Sequence, residues 1–344
     1  SIANTPEAEG FSSIKLTQVD SLVQIGLDSL LFPGAQIVIG RKGKIIYHKS
    51  FGYHSYEKQT KVKWDNLYDL ASVTKIAATL PLLMNEVQNE KLELSDALSS
   101  LIPSLSDSEF AHQTLTTALS HYGQFPAGIP FYKQTIDEDT SDPLESYYAS
   151  EQSEKFPLQV AEDLYIKDEI RNLILDQITE AKAVPKAYTY SDVPYYLIQH
   201  YLEDKYQANL EQLIAKFLYA PAGFNRIGYN PNKWYAKEKI VPTVFEEKFR
   251  KQKIQGYVHD KGAAILGGIA AHAGLFSNSL ELYKLMQMYL NGGVYAEKEY
   301  IKAQTIDEFN SCYFCDQGVR RGVGFDKPQL EGTLKYCVFY FFQG

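Results

Sequence analysis

The stretch LYDLASVTKIAATLPLLM, residues 67–84, decides the fold because it sets a Ser-x-x-Lys pair directly before an apolar run. Ser72 and Lys75 are three positions apart, so on a helix both side chains project from the same face. The apolar residues that follow recur at helical spacing, at Ile76, Leu80, Leu83, Met84 and Val87. This pattern predicts a helix with one stripe buried in a core. We expect Pro81 to kink that helix, since it lacks an N–H and crowds the carbonyl of Ala77.

The Ser-x-x-Lys spacing is not specific by itself, so its context has to decide its meaning. It occurs twice more in the chain, at Ser12 with Lys15 and at Ser55 with Lys58. Only Ser72 combines a predicted helix N-terminus with apolar residues that lead the lysine into the protein. A desolvated Lys75 can accept the Ser72 hydroxyl proton, and the Ser72 N–H would point at a developing oxyanion. The alternative is that Ser72 caps the helix and Lys75 extends to solvent.

A second pattern, YSD at residues 190–192, places Tyr190 on a loop before a helix-like segment. A nearby ammonium favours the phenolate form of a tyrosine, so Tyr190 could act as general base and later protonate a leaving group. Asp192 could hold the ammonium of Lys75 by a charge-assisted bond. Tyr289 with Asn291 has a similar spacing, but it lies at the end of a predicted regular helix.

Composition excludes several classes of function. The 344 residues are 45% hydrophobic, enough for a substantial core, and the formal net charge of -8 is spread along the chain. Without a basic segment that carries interleaved aromatics, nucleic acid is not an expected partner. No apolar run is long enough to cross a membrane. The chain opens without Met or a signal-like stretch, so we expect a fragment whose leader is absent, and a periplasmic or secreted protein, with a cytoplasmic one as the alternative.

The cysteines do not form a convincing metal or redox site. Cys312 and Cys315 make a lone C-x-x-C, and neither a second pair nor a histidine at zinc spacing accompanies it. Together with Cys337 they are expected to be free or locally paired thiols.

The remaining segments indicate an α+β domain. Residues 35–40 and 44–49 predict a hairpin that turns at Gly43, and residues 132–186 are acidic and helical with little β-patterning. Two helices are predicted over 195–217, and a buried strand near the C-terminus, in KYCVFYFF. We therefore expect an antiparallel sheet built from N- and C-terminal segments, flanked by helices, plus a mostly helical part. As one domain, its α/β part would comprise about 1–70 and 265–344, and its helical part about 71–264.

Taken together, the segments resemble the serine hydrolases of the β-lactamase and penicillin-binding-protein superfamily, in the branch of class C β-lactamases and esterases. The segments that carry the resemblance are, in order, TPEAEGFSS, FPGAQIVIGRKGKIIYHKSFGY, YDLASVTKIAAT, YSDVPYYLIQHYLE, LYAPAGF and AAHAGLFSN. Two more, GYVHDKGAAILGGIAAHAGLFS and MYLNGGVY, are similar to a bacterial subgroup that acts near peptidoglycan recycling.

By position, the resemblance implies Ser72 as the acylated nucleophile, Lys75 as its activating partner and Tyr190 as general base. Asp192 stands where the family has Asn, which removes an amide donor for a substrate carbonyl and implies a different substrate preference. The family's third motif, Lys-Thr-Gly or His-Thr-Gly on a strand, is not found. Only sixteen residues follow residue 328, too few for the strands and helix that the family has there, so we expect a truncated C-terminus.

Three histidine-containing features need separate interpretation. His121 and His272 both begin an H-x-G, but the resemblance places the first in a loop at the edge of the cleft and the second before a helix, so we expect a structural role for His272. His259 and Asp260, in VHD, are expected to border the cleft as a hydrogen-bonded structural pair.

The leading prediction is a serine hydrolase that acts on an ester or amide through an acyl-enzyme. A β-lactam, a D-amino-acid peptide, a muropeptide amide and a simple ester all remain open as substrates. The first alternative is a binding or sensor module that turns over slowly or not at all, and the second is a structural domain. This chemistry needs no metal or organic cofactor. The expected partner is a small molecule or peptidoglycan fragment, and the oligomeric state is left open.

Overall fold

A computed structural model describes residues 2–3 and 5–328 of the chain. The α-helices are α1 (Ser13–Asp28), α2 (Leu80–Gln88), α3 (Leu98–Leu101), α4 (Leu115–Leu119), α5 (Ile170–Glu180), α6 (Val193–Tyr206), α7 (Leu210–Ile214), α8 (Lys261–Ile265), α9 (Ser279–Leu290) and α10 (Ala303–Asn310). The strands are β1 (Gly34–Arg41), β2 (Lys44–Gly52), β3 (Tyr68–Asp69), β4 (Tyr148–Ala149), β5 (Leu158–Ala161), β6 (Leu164–Ile166), β7 (Ile227–Tyr229), β8 (Val244–Glu246), β9 (Gln252–Ile254), β10 (Leu275–Ser277), β11 (Val294–Tyr295) and β12 (Lys298–Glu299).

The N-terminal hairpin forms as predicted. Strands β1 and β2 pair antiparallel, with Arg41 opposite Lys44. The two turn residues, Lys42 and Gly43, have φ values of 52° and 75°. Positive φ at both central residues gives the turn a backbone twist that matches the right-handed twist of the flanking strands.

A three-stranded sheet sets the segment that leads to Ser72 beside the segment that follows His272. Strand β10 lies between β3 and β7 and pairs antiparallel with both. Asp69 at the end of β3 is opposite Phe276 of β10. Strand β3 ends three residues before Ser72, and β10 begins three residues after His272. The pairing of β3 with β10 therefore sets the distance between Ser72 and His272.

The helix after Ser72 begins with a wider, π-helical turn, which accommodates Pro81. Lys75–Thr79 forms a π-helical turn, in which the Leu80 N–H donates to the carbonyl of Lys75, and α2 follows with Pro81 in its first turn. A wider turn avoids the clash between the proline ring and the preceding carbonyls, at the cost of leaving some of those carbonyls without a partner.

Two tyrosine hydroxyls supply the missing partners. The Tyr219 hydroxyl donates to the carbonyl of Ala77 at 2.9 Å, which Pro81 cannot reach because it has no N–H. The Tyr289 hydroxyl donates to the carbonyl of Ile76 at 2.7 Å. Both tyrosines are buried, so these bonds join the π turn to the helices behind it.

The main core packs helices and short strands around α2 and α6. Its residues run from Leu70 to Phe325, and those of α2 and α6 that are at most 1% exposed include Leu80, Leu83, Met84, Val193, Tyr195 and Leu197. The two predicted helices over 195–217 are present as α6 and α7.

One part of the sequence-based prediction was wrong. Within residues 132–186 a three-stranded antiparallel sheet forms, with β6 between β4 and β5, in addition to α5. These strands are only two to four residues long, too short for a period-2 pattern to be visible. The α+β class is confirmed, whereas the predicted strand in KYCVFYFF lies outside the described residues.

Candidate active site

Ser72 lies in a tight turn between β3 and the π turn, and its side chain faces an open cleft. The residue before it, Ala71, has a φ of 44°, a conformation that non-glycine residues rarely adopt. The carboxylate of Asp69 holds this turn by accepting the Ala71 N–H at 2.9 Å and the His259 N–H at 2.7 Å. Among the described residues the Ser72 N–H has no acceptor, so it is available to a ligand oxygen in the cleft.

Lys75 is 3% exposed and its ammonium contacts three oxygen atoms. Nζ donates to Ser72 Oγ at 2.8 Å and to the carbonyl of His272 at 3.2 Å. It also forms an ion pair with Asp192 Oδ1 at 2.6 Å. Lys75 thus makes two hydrogen bonds and one ion pair, and one of the hydrogen bonds is donated to the serine hydroxyl.

Tyr190 lies on the loop before α6, as predicted, with its ring against the lysine. Lys75 Nζ is 5.1 Å from the centroid of the Tyr190 ring, and equally far from that of Tyr195. Within the described residues the Tyr190 hydroxyl makes no hydrogen bond to Lys75 or Ser72. The ammonium is already occupied by other acceptors, and catalytic hydrogen bonds of unliganded sites are often long and shorten when substrate binds.

Asp192 occupies the cleft at the N-terminus of α6, with a side chain that is 32% exposed. Its contact with Lys75 is the charge-assisted contact that the sequence suggested. The two charged groups are close enough for an ion pair, but their geometry is not that of a hydrogen bond. A carboxylate here neutralises the lysine, where an asparagine would offer an amide donor.

His272 and Asp260 form one wall of the cleft together. His272 Nε2 is 2.9 Å from Asp260 Oδ1 and 3.3 Å from the Tyr196 hydroxyl, and the histidine is 2% exposed. Asp260 also caps α8 by accepting the Ala263 N–H at 2.7 Å. Burial opposes ionisation of Asp260, but His272, the Ala263 N–H and Lys75 outweigh it, so the pKa of Asp260 is lowered.

The predicted pairing of His259 with Asp260 was wrong, although both residues do border the cleft. Asp260 binds His272 instead, and His259 is tied by its backbone N–H to Asp69. Residues adjacent in an extended segment point in opposite directions, so each finds its partner on a different element.

Two arginines close the other end of the cleft. Arg321 Nε donates to the Tyr188 hydroxyl at 3.0 Å, and its guanidinium carbon is 5.2 Å from the centroid of the Tyr190 ring. Arg320 is paired with Asp326 at 3.1 Å and donates to the carbonyl of Lys327 at 2.7 Å. Arg321 also lines the cleft, and its contact with the same aspartate is longer, at 3.6 Å.

The cleft that these residues line has a volume of about 950 Å³. All four residues singled out by sequence line it, namely Ser72, Lys75, Tyr190 and Asp192. A volume of this size fits a ligand as large as a short peptide or a modified sugar.

Sequence reasoning missed three contributors to this site. The carbonyl of His272 is a backbone group and has no signal in a sequence. Arg321 was visible in the pair RR at 320–321, but nothing local indicates that it reaches Tyr190. His121 packs its ring against Tyr190, a contact that joins segments about seventy residues apart.

The described residues also show the state of two cysteines and bear on metal binding and on membrane crossing. Cys312 and Cys315 are joined in a local disulfide, one of the two states expected for them, and Cys337 lies outside the described part. In residues 2–3 and 5–328 we find no group of three or more acidic, cysteine or histidine side chains arranged to hold a metal ion. Over the same residues, no helix has the length and apolar character needed to cross a membrane.

Comparison with known families agrees with this geometry. The family model described as Beta-lactamase matches residues 19–333. Because the match covers most of the sequence, the chain belongs to the β-lactamase family, and the resemblance seen in its motifs is confirmed. The chain is a serine hydrolase of that family.

Relatives with curated names connect the chain to peptidoglycan enzymes. It is 28% identical over 334 residues to an Escherichia coli K12 protein provisionally named D-alanyl-D-alanine carboxypeptidase, covering 90% of this chain and 71% of that protein. It is 27% identical over 330 residues to a Bacillus subtilis protein named N-acetylmuramyl-L-alanine amidase, covering 89% and 69%.

Solved structures show the same fold at low identity. An octameric penicillin-binding protein homologue from Pyrococcus abyssi superposes with a TM-score of 0.63 at 19% identity, and the match covers 87% of this chain and 60% of that chain. A class C β-lactamase superposes with a TM-score of 0.61 at 18% identity, covering 90% and 71%. This chain thus spans less than two thirds of the length of the first of these structures.

Proposed function

We propose that this β-lactamase-family hydrolase cleaves an ester or amide bond of a peptidoglycan-derived or β-lactam-like substrate through an acyl-enzyme on Ser72. The observation that carries the proposal is the 2.8 Å hydrogen bond from the buried Lys75 ammonium to the exposed Ser72 hydroxyl. A helix cap with a solvated lysine would show neither the buried ammonium nor this bond.

The steps follow from the groups around Ser72. Ser72 Oγ attacks the substrate carbonyl while its proton passes to Tyr190 as the general base, and the Lys75 ammonium stabilises the oxygen that loses the proton. The Ser72 N–H donates to the oxyanion that forms. Tyr190 then returns the proton to the leaving group, which departs as alcohol or amine. Water, deprotonated by the same tyrosine, attacks the acyl-enzyme. As the bond between the acyl carbon and Ser72 Oγ breaks, Tyr190 returns that proton to Ser72 Oγ and the acid is released.

Arg321 gives the cleft a group that can bind a substrate carboxylate. Lys75 is paired with Asp192 at 2.6 Å, whereas Arg321 lines the cleft next to Tyr190 and lies 3.6 Å from Asp326. A guanidinium binds a carboxylate through two parallel hydrogen bonds. Peptide stems of peptidoglycan carry such groups, which agrees with the names of the relatives. A substrate of this kind also favours a periplasmic or extracellular place of action.

A second candidate, a module that is acylated but turns over slowly, is favoured by one observation. In the described structure the Tyr190 hydroxyl lacks a hydrogen bond to either Ser72 or Lys75. If Tyr190 cannot activate water, acylation would proceed but deacylation would be slow.

The test is covalent labelling of the purified chain with a fluorescent penicillin and with a fluorophosphonate, followed by peptide mass spectrometry. We expect label on Ser72 and its loss in Ser72→Ala, by a factor of about 10³ or more. Ser12→Ala is the matched control, because Ser12 also precedes a lysine by three residues but only caps α1 by accepting the Lys15 N–H.

The time course separates the two candidates. Release of the penicillin label within minutes, together with hydrolysis of nitrocefin, a short acyl ester or a muropeptide, supports the hydrolase, and a penicillin label that persists supports the slow module. Equal labelling of wild type and Ser72→Ala would remove Ser72 from its proposed role.

A further inference from the structure

We propose that His121 is a positioning residue that clamps Tyr190 in the orientation in which it acts on Ser72. The inference rests on the proposed function, because it assigns His121 a task through Tyr190 rather than a contact with substrate. His121 is absent from the residues that line the cleft, so it acts from behind the tyrosine.

The clamp consists of two hydrogen bonds, one on each side of Tyr190 in the chain. The Thr189 N–H donates to the carbonyl of His121 at 2.9 Å. The Ser191 N–H donates to Nδ1 of His121 at 3.1 Å. One residue thus holds the backbone immediately before and immediately after Tyr190, which restricts the direction in which its side chain leaves the loop.

The imidazole also restrains the tyrosine ring. The centroids of the His121 and Tyr190 rings are 4.5 Å apart, with an angle of 39° between their planes. The other ring partners of Tyr190 are cations, Lys75 at 5.1 Å and Arg321 at 5.2 Å from its centroid. Contacts with one aromatic ring and two cations thus restrain the Tyr190 ring.

The backbone of His121 is held in a left-handed conformation at the end of α4. His121 is 2% exposed and has a φ of 57°, a conformation that costs free energy in a residue with a side chain. The conformation ends α4, because it lets the His121 N–H donate to the carbonyl of Ala118 and the Tyr122 N–H to that of Thr117. The cap thereby fixes the place of His121, whose carbonyl and Nδ1 accept from the two N–H groups of the other loop.

The protonation state of His121 is consistent with the clamp. Because Nδ1 accepts the Ser191 N–H, the hydrogen of the neutral ring is on Nε2. Burial, and then the charges of Arg321 and Lys75, lower the pKa of His121 well below its usual range. The imidazole therefore remains an acceptor at neutral pH, and no third cation is placed beside Tyr190.

The first test compares two buried histidines. His121→Ala removes Nδ1 and the ring, and we expect kcat/KM to fall by about 10- to 100-fold with little change in KM, because a displaced base slows the chemical steps. His54→Ala is the matched control, since His54 is 6% exposed and bonds Asn66 at 2.9 Å in the N-terminal part. It should lower the unfolding temperature but leave kcat/KM within about twofold.

Two additional variants isolate the mechanism. His121→Asn keeps an acceptor near the position of Nδ1 and tolerates positive φ, so it should recover part of the lost rate. In a Tyr190→Phe background, His121→Ala should change the residual rate by less than about twofold, because the tyrosine through which it acts is gone. Independent, multiplicative effects of the two substitutions would overturn the proposal.

A readout that needs no turnover keeps the two proposals separate. With 13Cζ-labelled tyrosine, the NMR signal missing in Tyr190→Phe belongs to Tyr190, and its shift and titration midpoint should change in His121→Ala but not in His54→Ala. An unchanged Tyr190 signal in a folded His121→Ala refutes the clamp even if Ser72 is acylated. A changed signal in a protein without Ser72 labelling would support the clamp while refuting the hydrolase.

Discussion

The N-terminal part, residues 5–66, and the cleft part, residues 67–328, are held together in different ways. In the N-terminal part the buried apolar side chains are few, chiefly Val23, Tyr47 and Val62, while Ile14, Leu22 and Leu31 are 69–80% exposed. The main core runs from Leu70 to Phe325 and takes no buried residue from the described residues of the N-terminal part. The groups around Ser72 therefore depend on a core to which the hairpin contributes little, and equal substitutions in the two parts should have unequal effects.

A pair of leucines gives the largest expected contrast. Leu83 of α2 is 1% exposed and Leu22 of α1 is 69% exposed. Leu83→Ala should lower the free energy of unfolding by about 2–5 kcal/mol through lost burial and a cavity, whereas Leu22→Ala should change it by less than about 0.5 kcal/mol. Urea unfolding followed by circular dichroism measures both. Similar losses for the two variants would show that α1 is as tightly packed as α2.

Two tyrosines, one in each part, allow the effect of losing a single hydrogen bond to be compared. Tyr219→Phe leaves the buried carbonyl of Ala77 without a donor, because Pro81 has none, and should cost about 1–3 kcal/mol of unfolding free energy. Tyr47→Phe removes a 2.8 Å bond to Asp20, but that carboxylate keeps Lys49 and is partly solvated, so the cost should stay below about 1 kcal/mol.

Because Ala77 belongs to the π turn, Tyr219→Phe should also slow acylation of Ser72, which Tyr47→Phe should not. Equal acylation rates in both variants would mean that the π turn keeps its geometry without the tyrosine.

The smallest effect concerns pH and Asp260. Its pKa is lowered in the folded state, so it contributes stability above the unfolded value of about 4, and this is lost as pH falls through the folded value. Asp260→Asn should therefore flatten the fall in unfolding temperature between about pH 5 and about pH 2. The side chain is 41% exposed, so solvent screening keeps the effect modest. A fall in Asp260→Asn that is as steep as in the wild type, or steeper, would contradict the assignment.

Much of the architecture could be predicted from local patterns. The hairpin at Gly43, the helix after Ser72 and the pair α6 and α7 all follow from periodicity and turn residues. The strands β4, β5 and β6 could not, because segments of two to four residues carry no readable period and form only where a neighbouring segment offers hydrogen bonds.

The candidate site likewise has features that could be predicted from the sequence and features that could not. The spacing of Ser72 and Lys75 and the loop position of Tyr190 were readable, and so was the charge complementarity of Asp192 and Lys75. The pairing of Asp260 with His272 was not, since the choice between His259 and His272 depends on which way an extended segment faces.

By itself the sequence determined that a serine and a lysine share one helical face ahead of a buried stripe, because a helix places residues three apart on the same side whatever surrounds it. Only the tertiary structure decided what they meet there. The carbonyl of residue 272, the ring of Tyr190 with His121 behind it, and the guanidinium of Arg321 come from distant segments. They are brought together because those segments bury their apolar residues in one core, and such long-range packing leaves no periodic trace in the chain.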